Sequence, residues 1–131
     1  MQKQRISTGT VWEEKVGYSR AIRIGNQIEI SGTVAVNESN EVVGKRDAAA
    51  QAQYIFQKIE QILAELGATL ADVIRTRMYV RDIANWEAVG RVHGDYFRSI
   101  KPATSLVEVS ALIGPEYLVE VEVSALVIRD E

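Results

Sequence analysis

Three glutamates and two arginines in the second half of the chain fall at alternating positions that would bring them to one surface. Alternate residues of an extended strand share a face. In LVEVEVSALVI (118–128), Val119, Val121, Val123, Ala125 and Val127 take one side, and Glu120, Glu122, Ser124, Leu126 and Ile128 the other. In SLVEV (105–109), Val107 and Val109 alternate with Leu106 and Glu108. In VIRTRMYV (73–80), Ile74, Thr76, Met78 and Val80 oppose Arg75, Arg77 and Tyr79, with Arg81 continuing that second face. With the valines turned to a core, Glu108, Glu120 and Glu122 project from the opposite face together with Arg75 and Arg77. A sheltered carboxylate can take a proton from water, and a guanidinium can grip an anion. The same set also builds an ion-pair network between subunits, which is the favoured reading for the group as a whole. His93, the single histidine, would titrate near neutrality, but the packed side of a helix more commonly holds a satisfied boundary histidine.

The elements that must position these groups are legible from periodicity. Tyr18 to Ile24 alternates through Arg20, Ile22 and Ile24. Gly25-Asn26 offers turn residues, and QIEISGTVAV alternates again through Ile28, Ile30 and Gly32, which together read as a β-hairpin. Asp47 to Leu66 is a helix. Ala48, Ala52, Ile55, Phe56, Ile59, Ile62, Leu63 and Leu66 form one apolar stripe, Asp47 is its N-cap and Gly67 its left-handed stop. Asp82 caps a second helix over about 85–97, with Trp86, Val89, His93, Tyr96 and Phe97 on one side. Two last strands follow, separated by Gly114-Pro115. Hairpin, helix, strand, helix, strand, strand predicts a single α/β domain over 1–131, a mixed sheet with both helices on one face. The other face, part apolar and part charged, calls for a second subunit.

Composition narrows the function classes. The chain has no cysteine, which removes disulfide scaffolds, thiol nucleophiles and cysteine–zinc sites and lends secretion no support. With one histidine as well, no metal site from a single subunit is expected, and no cofactor motif stands out. A net charge of −3 weighs against a nucleic-acid partner, since neutralising phosphates takes a basic face. No signal peptide and no apolar stretch long enough to span a bilayer is read, so the expected place is the cytoplasm.

GNQIEISGTVAV, PATSLVEVSAL and LVEVEVSALV resemble the Rid/YjgF family of reactive-intermediate deaminases, and the likeness runs in order along nearly the whole chain. The resemblance implies a chorismate-mutase-like subunit in a homotrimer, sheets around a central barrel, helices outside, and small-molecule clefts between adjacent subunits. It also implies hydrolysis of enamines or imines to a keto acid and ammonia. Tyr18, Ser31, Gly32 and Glu120 match the family's pocket positions, Glu120 the one linked to activating water. Ser31-Gly32 reads equally as a strand kink, and Tyr18 as an interface residue.

At one motif the chain departs from the family. A Pro-Ala-Arg-Ser turn there supplies a guanidinium for the substrate carboxylate, and this chain has Pro102-Ala103-Thr104-Ser105. Thr104 offers one neutral hydrogen bond, and losing a charge-assisted clamp forfeits on the order of 1.5–3 kcal/mol. Gly90 stands where the family has an asparagine. Arg75, Arg77 or His93 are candidates to compensate. The expected function is therefore a trimeric small-molecule site acting on an imine-like or related metabolite. A non-catalytic metabolite-binding trimer is the alternative, and endoribonuclease action ranks third.

Overall fold

The computed structural model describes residues 2–128. Its elements are β1 (Lys3–Ile6), α1 (Val11–Val16), β2 (Ala21–Ile24), β3 (Gln27–Thr33), α2 (Ala48–Glu65), β4 (Val73–Val80), α3 (Trp86–Phe97), β5 (Ala103–Glu108) and β6 (Val119–Leu126). The six strands form one mixed sheet in the order β1-β2-β3-β6-β4-β5, with β4 and β5 parallel and the other neighbours antiparallel. The expected α/β architecture is thus present.

The long helix follows from its sequence. The side chain of Asp47 accepts a hydrogen bond from the Ala50 amide, and Gly67 takes φ +79° just past the end. All eight predicted stripe residues are buried, and each large one contributes about 1.5–3 kcal/mol. Gln51, a polar residue beside the stripe, is also fully buried. Its amide donates to the carbonyls of Gly44 and Glu116 and accepts from the Leu118 amide, pinning the loop before β6 to the helix.

Several expectations are corrected. β1 and α1 were not read from the sequence: KQRI has one apolar residue and VWEEKV is under two turns, too short for periodicity to register. The last two strands do not pair with each other. The β4–α3–β5 crossover places β5 outside β4, while β6 inserts between β3 and β4.

The facing of β5 is inverted. Because Met78 pairs with Leu106 and Val80 with Glu108, it is Leu106 that packs on the core, while Val107 is 46% exposed. Glu108 therefore does not join Glu120 and Glu122; its carboxylate accepts from the Ile83 amide. A bulge near Ile74 exposes that residue and buries Val73. In β2 it is Ala21 that is buried, with Ile22 half-buried. In α3, Trp86 is 55% exposed, and Val92 joins Val89 and Phe97 in the core.

β6 is as expected. Val119, Val121, Val123, Ala125 and Val127 lie under the helices, and Glu120, Glu122 and Ser124 stand on the face that no helix covers.

Candidate functional site

The site begins with a defect in a strand. Ile30 pairs with Val123 and Thr33 with Val121, so β3 carries one residue more than β6 between those points. The extra residue sits at Ser31-Gly32, the kink read as one alternative from the sequence. Ser31 is held twice to the segment before β2: its amide donates to the Arg20 carbonyl and its hydroxyl to the Ser19 carbonyl at 2.7 Å. Gly32 leaves room for Glu120, since a Cβ at position 32 would stand 2.5 Å from Glu120 Oε2. The bulge and the glycine together open the place that the glutamate occupies.

Beside it lies a cavity of about 290 Å³, walled by Trp12 and Tyr18 on the aromatic side, by Ser31 and Gly32, and by the charged Arg20, Lys58 and Glu120. Burial raises the Glu120 pKa, repulsion from Glu122 adds to it, and Arg20 opposes both. Among the described residues its carboxylate carries no hydrogen bond, whereas the neighbouring Glu122 accepts one from the Tyr79 hydroxyl. Glu120 is thus a half-buried carboxyl that holds its proton longer than an ordinary glutamate and has free oxygens toward the cavity.

Arg20 and Lys58 had no functional reading in the sequence. Arg20 is only 5% exposed; its Nη2 donates to the Gly32 carbonyl at 2.5 Å, and its guanidinium lies 5.6 Å from the Tyr18 ring centroid. Lys58 extends from α2 to donate to the Val36 carbonyl at 3.1 Å. Burial lowers its pKa, and repulsion from Arg20 lowers it further. The available signal for Lys58 was its place one turn from Tyr54 and Ile62 at the margin of the stripe. Nothing local marks Arg20, whose guanidinium is held by the Gly32 carbonyl of the next strand.

The structure thus brings Tyr18, Ser31, Gly32 and Glu120 around one cavity and leaves Arg77, His93 and Thr104 outside its lining. Arg77 lies on the open face of β4, opposite Glu122 in register. Arg75 turns to the β5 edge, where its Nη2 donates to Ser105 Oγ at 2.8 Å. Among the described residues no ion pair within 4 Å joins either arginine to Glu120 or Glu122.

Thr104 and His93 meet on the helix side of the sheet. The buried Thr76 hydroxyl lies 2.8 Å from Thr104 Oγ1 and 2.8 Å from His93 Nε2. The His93 ring meets Phe56 edge-on and Phe97 in a tilted contact, and burial lowers its pKa. No cluster of three or more His, Asp or Glu among the described residues has the arrangement to hold a metal. No helix of the described residues is long and apolar enough to cross a membrane.

The model of the family described as endoribonuclease L-PSP matches residues 11–127. The chain is 35% identical over 104 residues to the 3-aminoacrylate deaminase RutC of Acinetobacter baylyi, covering 79% of this chain and 82% of that one. It is 34% identical over 125 residues to a RutC family protein of Pyrococcus abyssi, covering 95% and 98%. Among solved structures, Rv2704 of Mycobacterium tuberculosis, a member of the YjgF/YER057c/UK114 family, superposes with a TM-score of 0.87 at 46% identity, covering 96% of this chain and all of the other. Matching along the chain in sequence and in fold, this protein belongs to the Rid/YjgF family, whose domain is the one described as endoribonuclease L-PSP.

Proposed function

We propose that the Glu120 cavity is a small-molecule site at the boundary between subunits of a homotrimer, and that it hydrolyses a C=N bond of the enamine or imine type. The single observation that carries this reading is the half-buried Glu120 carboxyl, unbonded and facing a cavity of metabolite size. In its ionised form Glu120 takes a proton from water as the water oxygen bonds to the imine carbon. The proton passes from Glu120 to the imine nitrogen, which takes the C=N electron pair; the carbinolamine's hydroxyl proton then moves to that nitrogen as the C–N bond breaks, releasing ammonia and a carbonyl compound. The deaminase name of the Acinetobacter relative supports the same chemistry.

The trimer answers the sheet's open face, where Glu122, Arg77, Ser124 and Leu126 have no helix above them. Lack of cysteine suits a cytoplasmic setting. Thr104 favours a second reading, a metabolite-binding trimer without catalysis, because the family's guanidinium is absent from its turn. Endoribonuclease action is the weakest reading, since the cavity is small and the net charge is −3.

The test is hydrolysis of freshly generated imino acids by wild type, Glu120→Gln and Thr104→Arg. Turnover by wild type that Glu120→Gln abolishes supports the enzyme. Turnover that appears only in Thr104→Arg favours the binding trimer. Sedimentation should give about three times the 14.6 kDa subunit mass; a stable monomer removes the boundary from the proposal.

A further inference from the structure

We propose that Arg20 and Lys58 form an anion seat inside the Glu120 cavity, fitted to the carboxylate of a small ligand with an apolar body. This rests on the cavity being a ligand site and adds which chemical group it holds and by which residues. Arg20 is more than nine-tenths buried, and its Nε has no hydrogen-bond partner. A guanidinium presents five donors, and burying one without a counter-charge is costly. Among the described residues, no carboxylate lies within 4 Å of Arg20 or Lys58.

The two cations are close enough to repel each other and both line the same cavity. Of the acidic groups near them, Glu38 favours the charged form of Lys58 but does not line this cavity, and Glu13 and Glu120 are committed or weak. Glu13 accepts from the hydroxyls of Ser7, Thr8 and Thr10, and Glu120 resists ionisation. An anion between Arg20 and Lys58 would supply the missing negative charge and the missing acceptor together. Neither Thr104 nor His93 lines this cavity, so the PATS turn need not carry the charge at all. The Trp12 and Tyr18 rings and the Val34 and Ile113 side chains supply an apolar surface for the rest of the ligand.

Isovalerate and its neutral isostere isovaleramide test this directly. Trp12 lines the cavity while Trp86 is exposed, so Trp12 fluorescence is read in a Trp86→Phe background. The expected result is saturable quenching, with the acid bound about tenfold tighter than the amide. Lys58→Gln and Arg20→Gln should each bring the two affinities to within about threefold, with amide binding unchanged. If Arg20→Gln fails to fold, the solvent-reaching Lys58→Gln decides. Equal binding of acid and amide by the parent, or a preference that persists in Lys58→Gln, overturns the seat. Failure of the hydrolysis assay with the preference intact leaves the seat standing and removes only the catalytic reading. Absence of binding by both probes removes the cavity as a ligand site and the seat with it.

Discussion

The cavity beside β3 and the far edge of the sheet handle polar groups in opposite ways. At the far edge, Thr104, Thr76 and His93 satisfy one another through two 2.8 Å hydrogen bonds, and aromatic rings enclose the histidine. In the cavity, Arg20 keeps an unpartnered Nε, as Arg75 does on β4, and here it stands beside Glu120, which has no hydrogen bond among the described residues. Buried polar groups that close on themselves add rigidity, while groups left open are costly unless something else completes them. The Thr76 cluster therefore closes on itself, while the cavity keeps the open groups on which the proposed site rests. The family's substrate guanidinium would have stood at the edge, where this chain has placed a self-satisfied threonine.

The comparison is broken most severely at Glu120. Glu120→Gln should lower any C=N hydrolysis by about 100- to 10,000-fold while unfolding changes little. Gly32→Ala should approach the same loss, because the added Cβ displaces the flexible Glu120 carboxylate while the strand itself tolerates alanine. Steady-state rates and urea midpoints for both variants check this. A Gly32→Ala protein with full activity would mean that the carboxylate position is unimportant.

At the edge the pattern reverses. Thr76→Val removes the hydroxyl that both Thr104 and His93 use, and should cost about 1–3 kcal/mol in urea unfolding with turnover nearly intact. A large loss of turnover at unchanged stability would assign the edge to the site.

The two regions also differ in sign with pH. The folded Glu120 pKa is raised, so its protonated form favours the fold; that stability is present below the ordinary value and lost as pH rises through the raised one. Relative to wild type, Glu120→Gln should gain stability as pH rises. The folded His93 pKa is lowered from 6.5, so the unfolded chain binds the proton first and stability is lost as pH falls below about 6.5 toward the lowered value. His93→Gln should gain relative stability as pH falls. Urea midpoints across that range read both slopes, and slopes of the same sign would erase the distinction. The smallest effect belongs to Thr104→Arg, which removes one of the two partners of the buried Thr76 hydroxyl and should cost about 0.5–1.5 kcal/mol.

Much of this was legible from residues alone. The β6 alternation placed Glu120 and Glu122 correctly, and the stripe, Asp47 and Gly67 bounded α2, because both patterns are local and strongly periodic. The same logic failed on β5, where alternation defines two faces but cannot say which one is inward. Leu106 rather than Val107 packs on the core because the register with Met78 and Val80 decides it.

By itself, the sequence determined the helix stripe, the two faces of β6, the family likeness and the absence of an arginine at position 104. Only the tertiary structure decided that β6 lies between β3 and β4, that a one-residue bulge turns Gly32 toward Glu120, and that Arg20 and Lys58 reach the same cavity from different elements. The physical reason is separation along the chain. Periodicity speaks for neighbours within a few residues, whereas the cavity joins residues from position 10 to position 120 that only sheet order and register bring together.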